Sequence, residues 1–92
     1  PLICYDANKA GDLELCEAMG AEILKLCVDA GGCLTGEHGV GIEKRDLMTH
    51  QFAPQDLEIQ MAIKDVFDPS WLLNPAKVFP LTSSASRRIA AE

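Results

Sequence analysis

The chain has 92 residues, 48% hydrophobic and 24% charged, with eight basic and fourteen acidic side chains and a net charge of −6. That is the composition of one small globular domain rather than of a disordered segment. Its acidity, with only Lys44-Arg45 and Arg87-Arg88 as adjacent basic pairs, excludes a nucleic-acid surface, and its apolar runs fall far short of the ~20 residues of a membrane span.

In chain order, residues 2–5 (LICY) are apolar and predict a short strand that needs partners. Residue 1 is Pro rather than Met, so the strand reads as cut from a longer polypeptide. The next stretch, DANKAGD, has the residues of a loop. Residues 12–30 predict the main helix. Leu13, Cys16, Ile23 and Cys27 lie on one side, and Leu15, Met19 and Leu26 widen the stripe. Glu14 and Glu17 suit the positive end of its dipole, and Gly31-Gly32 supplies the stop. Residues 33–35 (CLT) are compatible with a second strand, and residues 40–50 with a short helix. Pro54 fits the first position of another helix, with Ile59, Ala62, Ile63, Val66 and Phe67 as its expected buried face and Asp68-Pro69 as its end. An apolar anchor, Trp71-Leu72-Leu73, then precedes an Asn-Pro break and β-compatible residues 77–79. From Thr82 the chain is polar and small, so residues 82–92 are expected to be poorly ordered.

The four cysteines, at 4, 16, 27 and 33, form no C-x-x-C pair, which argues against zinc and iron–sulfur sites. They read as buried free thiols in a reducing compartment.

The chemistry concentrates in GCLTGEHGVGIEK, residues 32–44. Its glycine order, G-x-x-G-x-G over residues 36–41, is not the dinucleotide pattern. Ile42-Glu43 stands where a P-loop requires Lys-Ser/Thr, so it is no phosphate cradle. Glu37 and His38 are an adjacent carboxylate and imidazole, suited to acid–base or metal chemistry. In an extended chain they would point to opposite faces. A bend at Gly39 would let both approach one cavity, and a solvated surface turn is the plain alternative. His50 reads as an exposed helix-end imidazole, Asn74 as a turn residue or a ligand-binding amide, and Trp71 as core.

Together, GGCLTGEHGVGIEK and FDPSWLLNPAKVFP resemble the C-terminal end of FAD-linked 2-hydroxy-acid oxidases and dehydrogenases of the vanillyl-alcohol-oxidase type. The flavin subunit of glycolate oxidase and the D-lactate dehydrogenases belong to that group. The resemblance covers residues 1–81. It implies oxidation of glycolate or D-lactate to the 2-oxo acid with hydride transfer to FAD. His38 matches a histidine beside the flavin and the substrate hydroxyl, a candidate general base. Glu37 matches a carboxylate that helps bind a divalent metal such as Zn or Mn in metal-dependent members. Asn74 matches an amide near the flavin ring. One departure is Ala76, where the family has Gly. The FAD-binding domain and the metal-binding histidines are expected upstream of Pro1, so an isolated piece would be inactive.

The implied fold class is α+β, mostly helical. It is a fragment of a cap domain, with an incomplete antiparallel sheet and helices, followed by the tail that returns to the flavin domain. The implied location is cytoplasmic, at the cytoplasmic membrane face in the parent complex. Two rival readings remain: a self-associating helical interaction module forming a homo-oligomer through its apolar helix faces, and a small metal-binding protein using Glu37, His38 and His50.

Overall fold

The computed structural model describes residues 2–90; the expectations that touch residues 1, 91 and 92 lie outside the described residues. Four helices carry the chain: α1 (Asp12–Asp29), α2 (Met48–Gln51, entered through a 3₁₀ turn at Arg45–Leu47), α3 (Pro54–Phe67) and α4 (Ser83–Ala90).

The ends of α1 follow from its glycines. Gly11 precedes it at φ +83°. Asp12 ties the preceding loop back, its carboxylate accepting from the Asp6 N–H at 3.1 Å. At the far end Gly31 adopts φ +94° and donates to the Val28 carbonyl, while Gly32 donates to that of Cys27. These two bonds make a Schellman closure. A Cβ on Gly32 would sit 2.9 Å from the Cys27 oxygen, so both glycines are needed. Pro54 opens α3 as expected, and the Asp56 carboxylate accepts from the Ala53 N–H at 3.3 Å.

The core consists of Leu34, Met48, Leu57, Met61, Trp71, Phe79 and Ala85, with Leu24 and Val28 of α1 packed against it. Leu34 is held there by its N–H, which donates to Gln51 Oε1 at 2.9 Å. Trp71 and Phe79 stack at 5.8 Å between ring centres, within the range that favours aromatic pairs.

Several expectations are corrected. Among the described residues there is no strand: residues 2–5 and 33–35 are irregular. A strand exists only as half of a ladder, and neither segment meets a partner here, so the helical part of the fold class holds and the sheet does not. Residues 40–50 are not one helix, because Gly39 at φ +85° and Gly41 at φ +56° turn the chain before α2 begins. The face of α3 expected to be buried, with Ile59, Ile63, Val66 and Phe67, is exposed, and Leu57 and Met61 on the opposite side enter the core. Periodicity marks an apolar face without saying what it packs against. The cysteines are free but not buried: Cys4, Cys27 and Cys33 are exposed and Cys16 is half-buried. Residues 83–90, where little order was expected, form α4, and Ala85 reaches the core.

Candidate functional site

The glycine turn is shaped by local bonds. Thr35 Oγ1 accepts from the Gly39 N–H at 3.0 Å, folding residues 35–39 into a loop. The left-handed Gly39 and Gly41 bend it, a conformation glycine adopts without steric cost. The bend brings Glu37 and His38 together rather than to opposite faces, with His38 Nε2 3.6 Å from Glu37 Oε1. Their side chains are 89% and 84% exposed. They crown a surface turn and do not line a cavity. A cleft of ≈ 320 Å³ lies elsewhere, between Phe52, Leu57, Met61, Pro80 and α4.

Two further bonds dock this turn onto the segment that carries Asn74. The Val78 N–H donates to the Gly41 carbonyl at 2.8 Å. Arg45 Nη1 donates to the Ala76 carbonyl at 2.6 Å. The two stretches singled out in the sequence, about thirty residues apart, therefore form one surface. Asn74 lies exposed on it at φ +48°, and Trp71, Ala76 and Val78 are also left-handed, at +52°, +61° and +72°. Side-chain-bearing residues rarely adopt this region, at a cost of roughly 1–2 kcal/mol each, so the segment needs its ties. Asp68 supplies more of them, accepting from the Leu72 and Leu73 N–H groups at 3.1 Å each and from Lys64 Nζ at 2.7 Å.

His50 is not brought to this site. Its Nε2 lies 2.8 Å from Asp29 Oδ1, joining α2 to the end of α1. The metal-binding reading built on Glu37, His38 and His50 loses its third ligand there. Sequence reasoning missed Arg45 altogether. Its only signal was a cation beside the glycine turn, with nothing local to name a carbonyl 31 positions away as its acceptor.

The sequence profile of the family described as "FAD linked oxidases, C-terminal domain" matches residues 1–78. The chain belongs to this family. Among its relatives, the glycolate oxidase subunit GlcD of Escherichia coli is 46% identical over 80 residues, covering 87% of this chain and 16% of that protein. GlcD of Bacillus subtilis is 34% identical over 92 residues, covering all of this chain and 19% of that protein. A probable mitochondrial D-lactate dehydrogenase of Danio rerio is 31% identical over 83 residues, covering 90% of this chain and 17% of that protein. The chain thus spans less than a fifth of the length of these relatives. No solved structure matches it.

The exposed imidazole of His38, the exposed amide of Asn74 and the glycine backbone of the turn carry the donors, acceptors and open backbone that would suit a flat flavin ring. At Gly36 an added Cβ would meet nothing within 4 Å and φ is not left-handed, so nothing among the described residues requires a glycine there. A divalent metal fits less well. A zinc ion takes three or four protein ligands, and among the described residues no three His, Cys, Asp or Glu side chains gather.

Proposed function

We propose that this chain is the C-terminal part of a flavoenzyme that oxidises a 2-hydroxy acid, glycolate or D-lactate, to the 2-oxo acid, beside an FAD-binding domain. The observation that carries this reading is the family match over residues 1–78, with relatives named glycolate oxidase and D-lactate dehydrogenase. It is supported by the docking of the glycine turn onto the Asn74 segment, which puts His38 and Asn74 on the surface formed by those two stretches.

In this reading His38 is the general base. The substrate's C–H bond breaks as a hydride and its O–H bond as a proton, leaving the carbonyl of the 2-oxo acid. FAD, when bound, supplies the hydride acceptor. His38 takes the hydroxyl proton, a transfer that typically contributes 10²–10⁴-fold to a rate. Asn74 offers both a donor and an acceptor to a ring edge. The glycines of the turn let a flat ligand approach the backbone. Glu37 would ligate a metal only in company with ligands from outside this chain. The location proposed with this role is the cytoplasm or its membrane face. No helix of the described residues is long and apolar enough to cross a membrane.

The isolated chain mixed with FAD and either glycolate or D-lactate is expected to give no turnover. The same chain joined to an FAD-binding domain is expected to reduce the flavin, and His38→Asn to slow that step about 10²-fold or more while leaving FAD bound. Unchanged reduction by the His38→Asn enzyme would remove the base from His38.

A further inference from the structure

The imidazole of His38 and the carboxylate of Glu37 beside it are both exposed, so packing does little to hold either. A side chain placed like this goes where its backbone goes, and the feet of its loop decide its position. The exit foot is the bond from the Val78 N–H to the Gly41 carbonyl at 2.8 Å. The entry foot is built by two adjacent residues of α2. Gln51 Oε1 accepts from the Leu34 N–H at 2.9 Å. His50 Nε2 lies 2.8 Å from Asp29 Oδ1, and since a carboxylate only accepts, His50 donates. Asp29 is the last residue of α1, and Leu34 follows the Gly31-Gly32 stop, so His50 and Gln51 hold the chain on either side of that bend. Met48 roots α2 in the core, and Leu34 is buried in the same cluster. The hold is therefore fixed at its base.

From Leu34 the chain passes at once to Thr35, whose Oγ1 accepts from the Gly39 N–H at 3.0 Å and curls the loop around His38. A shift of the entry foot is thus carried to the imidazole through a short turn bonded to itself. We infer that His50 and Gln51 are positioning residues for His38: they set the direction in which the chain leaves α1, and through it the place of the base. Neither touches a reacting atom. The inference rests on the flavoenzyme role proposed above, in which the base must sit within hydrogen-bond reach of the substrate hydroxyl. The plain alternative is that the two bonds add stability and nothing else. Measurement separates the two roles. A misplaced base lowers kcat with KM nearly unchanged. Lost stability alone lowers the thermal midpoint and leaves the kcat of the folded enzyme as it was.

The test has two readouts. One is the chain by itself, followed by NMR at the His38 ring resonances and the Gly39 amide. The other is flavin reduction by glycolate or D-lactate in the chain joined to an FAD-binding domain. Gln51→Met removes the acceptor at nearly the same length, and His50→Leu removes the donor. Each is expected to move the His38 resonances and to speed exchange of the Gly39 N–H. Each should also lower kcat about tenfold or more while KM stays within about twofold, since a displacement of about 1 Å at a reacting centre can cost up to ~10²-fold. Gln51→Glu keeps an acceptor for the Leu34 N–H, and His50→Gln keeps a donor for Asp29. Both should show the parent's resonances and most of its kcat, and they keep the comparison decisive if the first pair folds poorly. His38 resonances unmoved by Gln51→Met and His50→Leu would overturn the inference. So would an unchanged kcat in both with a lowered thermal midpoint, or a kcat that Gln51→Glu and His50→Gln lose as fully as the first pair does. A parent enzyme that leaves its flavin oxidised would reject the reaction proposed above. His38 resonances that still obey the four variants would then uphold the placement of the imidazole without it.

Discussion

Arg45, beside the glycine turn, donates from Nη1 to the carbonyl oxygen of Ala76, 2.6 Å away, and Ala76 holds that carbonyl in place with φ at +61°. An alanine in the left-handed region costs roughly 1–2 kcal/mol. Glycine adopts it freely but loses about 0.5–1 kcal/mol more conformational entropy on folding. Ala76→Gly should therefore stabilise the chain by about 0.5–1 kcal/mol. The urea midpoint is the measurement. A lower midpoint would mean that the bond from Arg45 does not hold Ala76 in the left-handed region in solution.

Asp68 gives the fold an acid dependence. The hydrogen bond from Lys64 is the main influence holding its pKa below the usual carboxylate value. The N–H groups of Leu73 and Leu72 add to this, and burial opposes it. The folded-state pKa therefore lies below that of the unfolded chain. Its contribution is present above the unfolded pKa and is lost as pH falls through the folded one. Asp68→Asn should lower the thermal midpoint at neutral pH. The gap between variant and parent should close as the pH is taken down through the carboxylate range. A constant gap at every pH would show that the loss comes from shape rather than from charge.

Much of the backbone plan was readable from local chemistry, and the reasons differ by element. The end of α1 was set by a glycine pair acting on residues next to it, and the start of α3 by a proline whose fixed φ suits a first helical turn. The strand at residues 2–5 was not readable as present or absent, because a ladder depends on a second segment. The orientation of α3 failed for a related reason: it is apolar on both sides, so its pattern has two solutions, and the ion network of Glu58, Lys64 and Asp65 selects between them through α4 and Trp71. At the site, the bend at Gly39 was foreseeable from the glycines. The left-handed turns of Trp71, Ala76 and Val78 were not, since none of these residues prefers that region. They are imposed by bonds to Asp68, Arg45 and Gly41.

Arg88 should prove to be the residue that keeps α4 folded. Its Nε bonds both oxygens of Asp65 at 3.1 Å, its Nη1 reaches Glu58 at 3.2 Å, and its guanidinium lies 5.9 Å from the Trp71 ring centre. Removing it leaves Asp65 with only the indole of Trp71 as a donor. Arg88→Ala should cost about 1–3 kcal/mol, the range for hydrogen bonds to charged groups with partly buried partners. Trp71 is the one tryptophan of the chain, so its fluorescence reports the loss directly. Faster hydrogen exchange confined to residues 83–90 would confirm that α4 is what detaches. An unchanged spectrum and midpoint would show that the helix is held by Ala85 and Ile89 instead.

Gly36 separates what the chain needs for itself from what it offers to a ligand. With an ordinary φ and open space around the position of a Cβ, Gly36→Ala meets no clash in this structure. The substitution should leave stability unchanged or raise it by about 0.4–1 kcal/mol, because alanine has fewer unfolded conformations to lose. In the flavin-loaded enzyme the same methyl group would stand on the wall where a flat ring is proposed to rest, next to Glu37 and His38. A displacement of about 1 Å at a reacting centre can cost up to ~10²-fold in rate. Flavin reduction should therefore slow at least about tenfold while the denaturation midpoint of the chain stays level or rises. Equal rates in the two enzymes would place the ring away from this turn, and a fall in the midpoint would mean that the turn packs against the chain more closely than its open geometry shows.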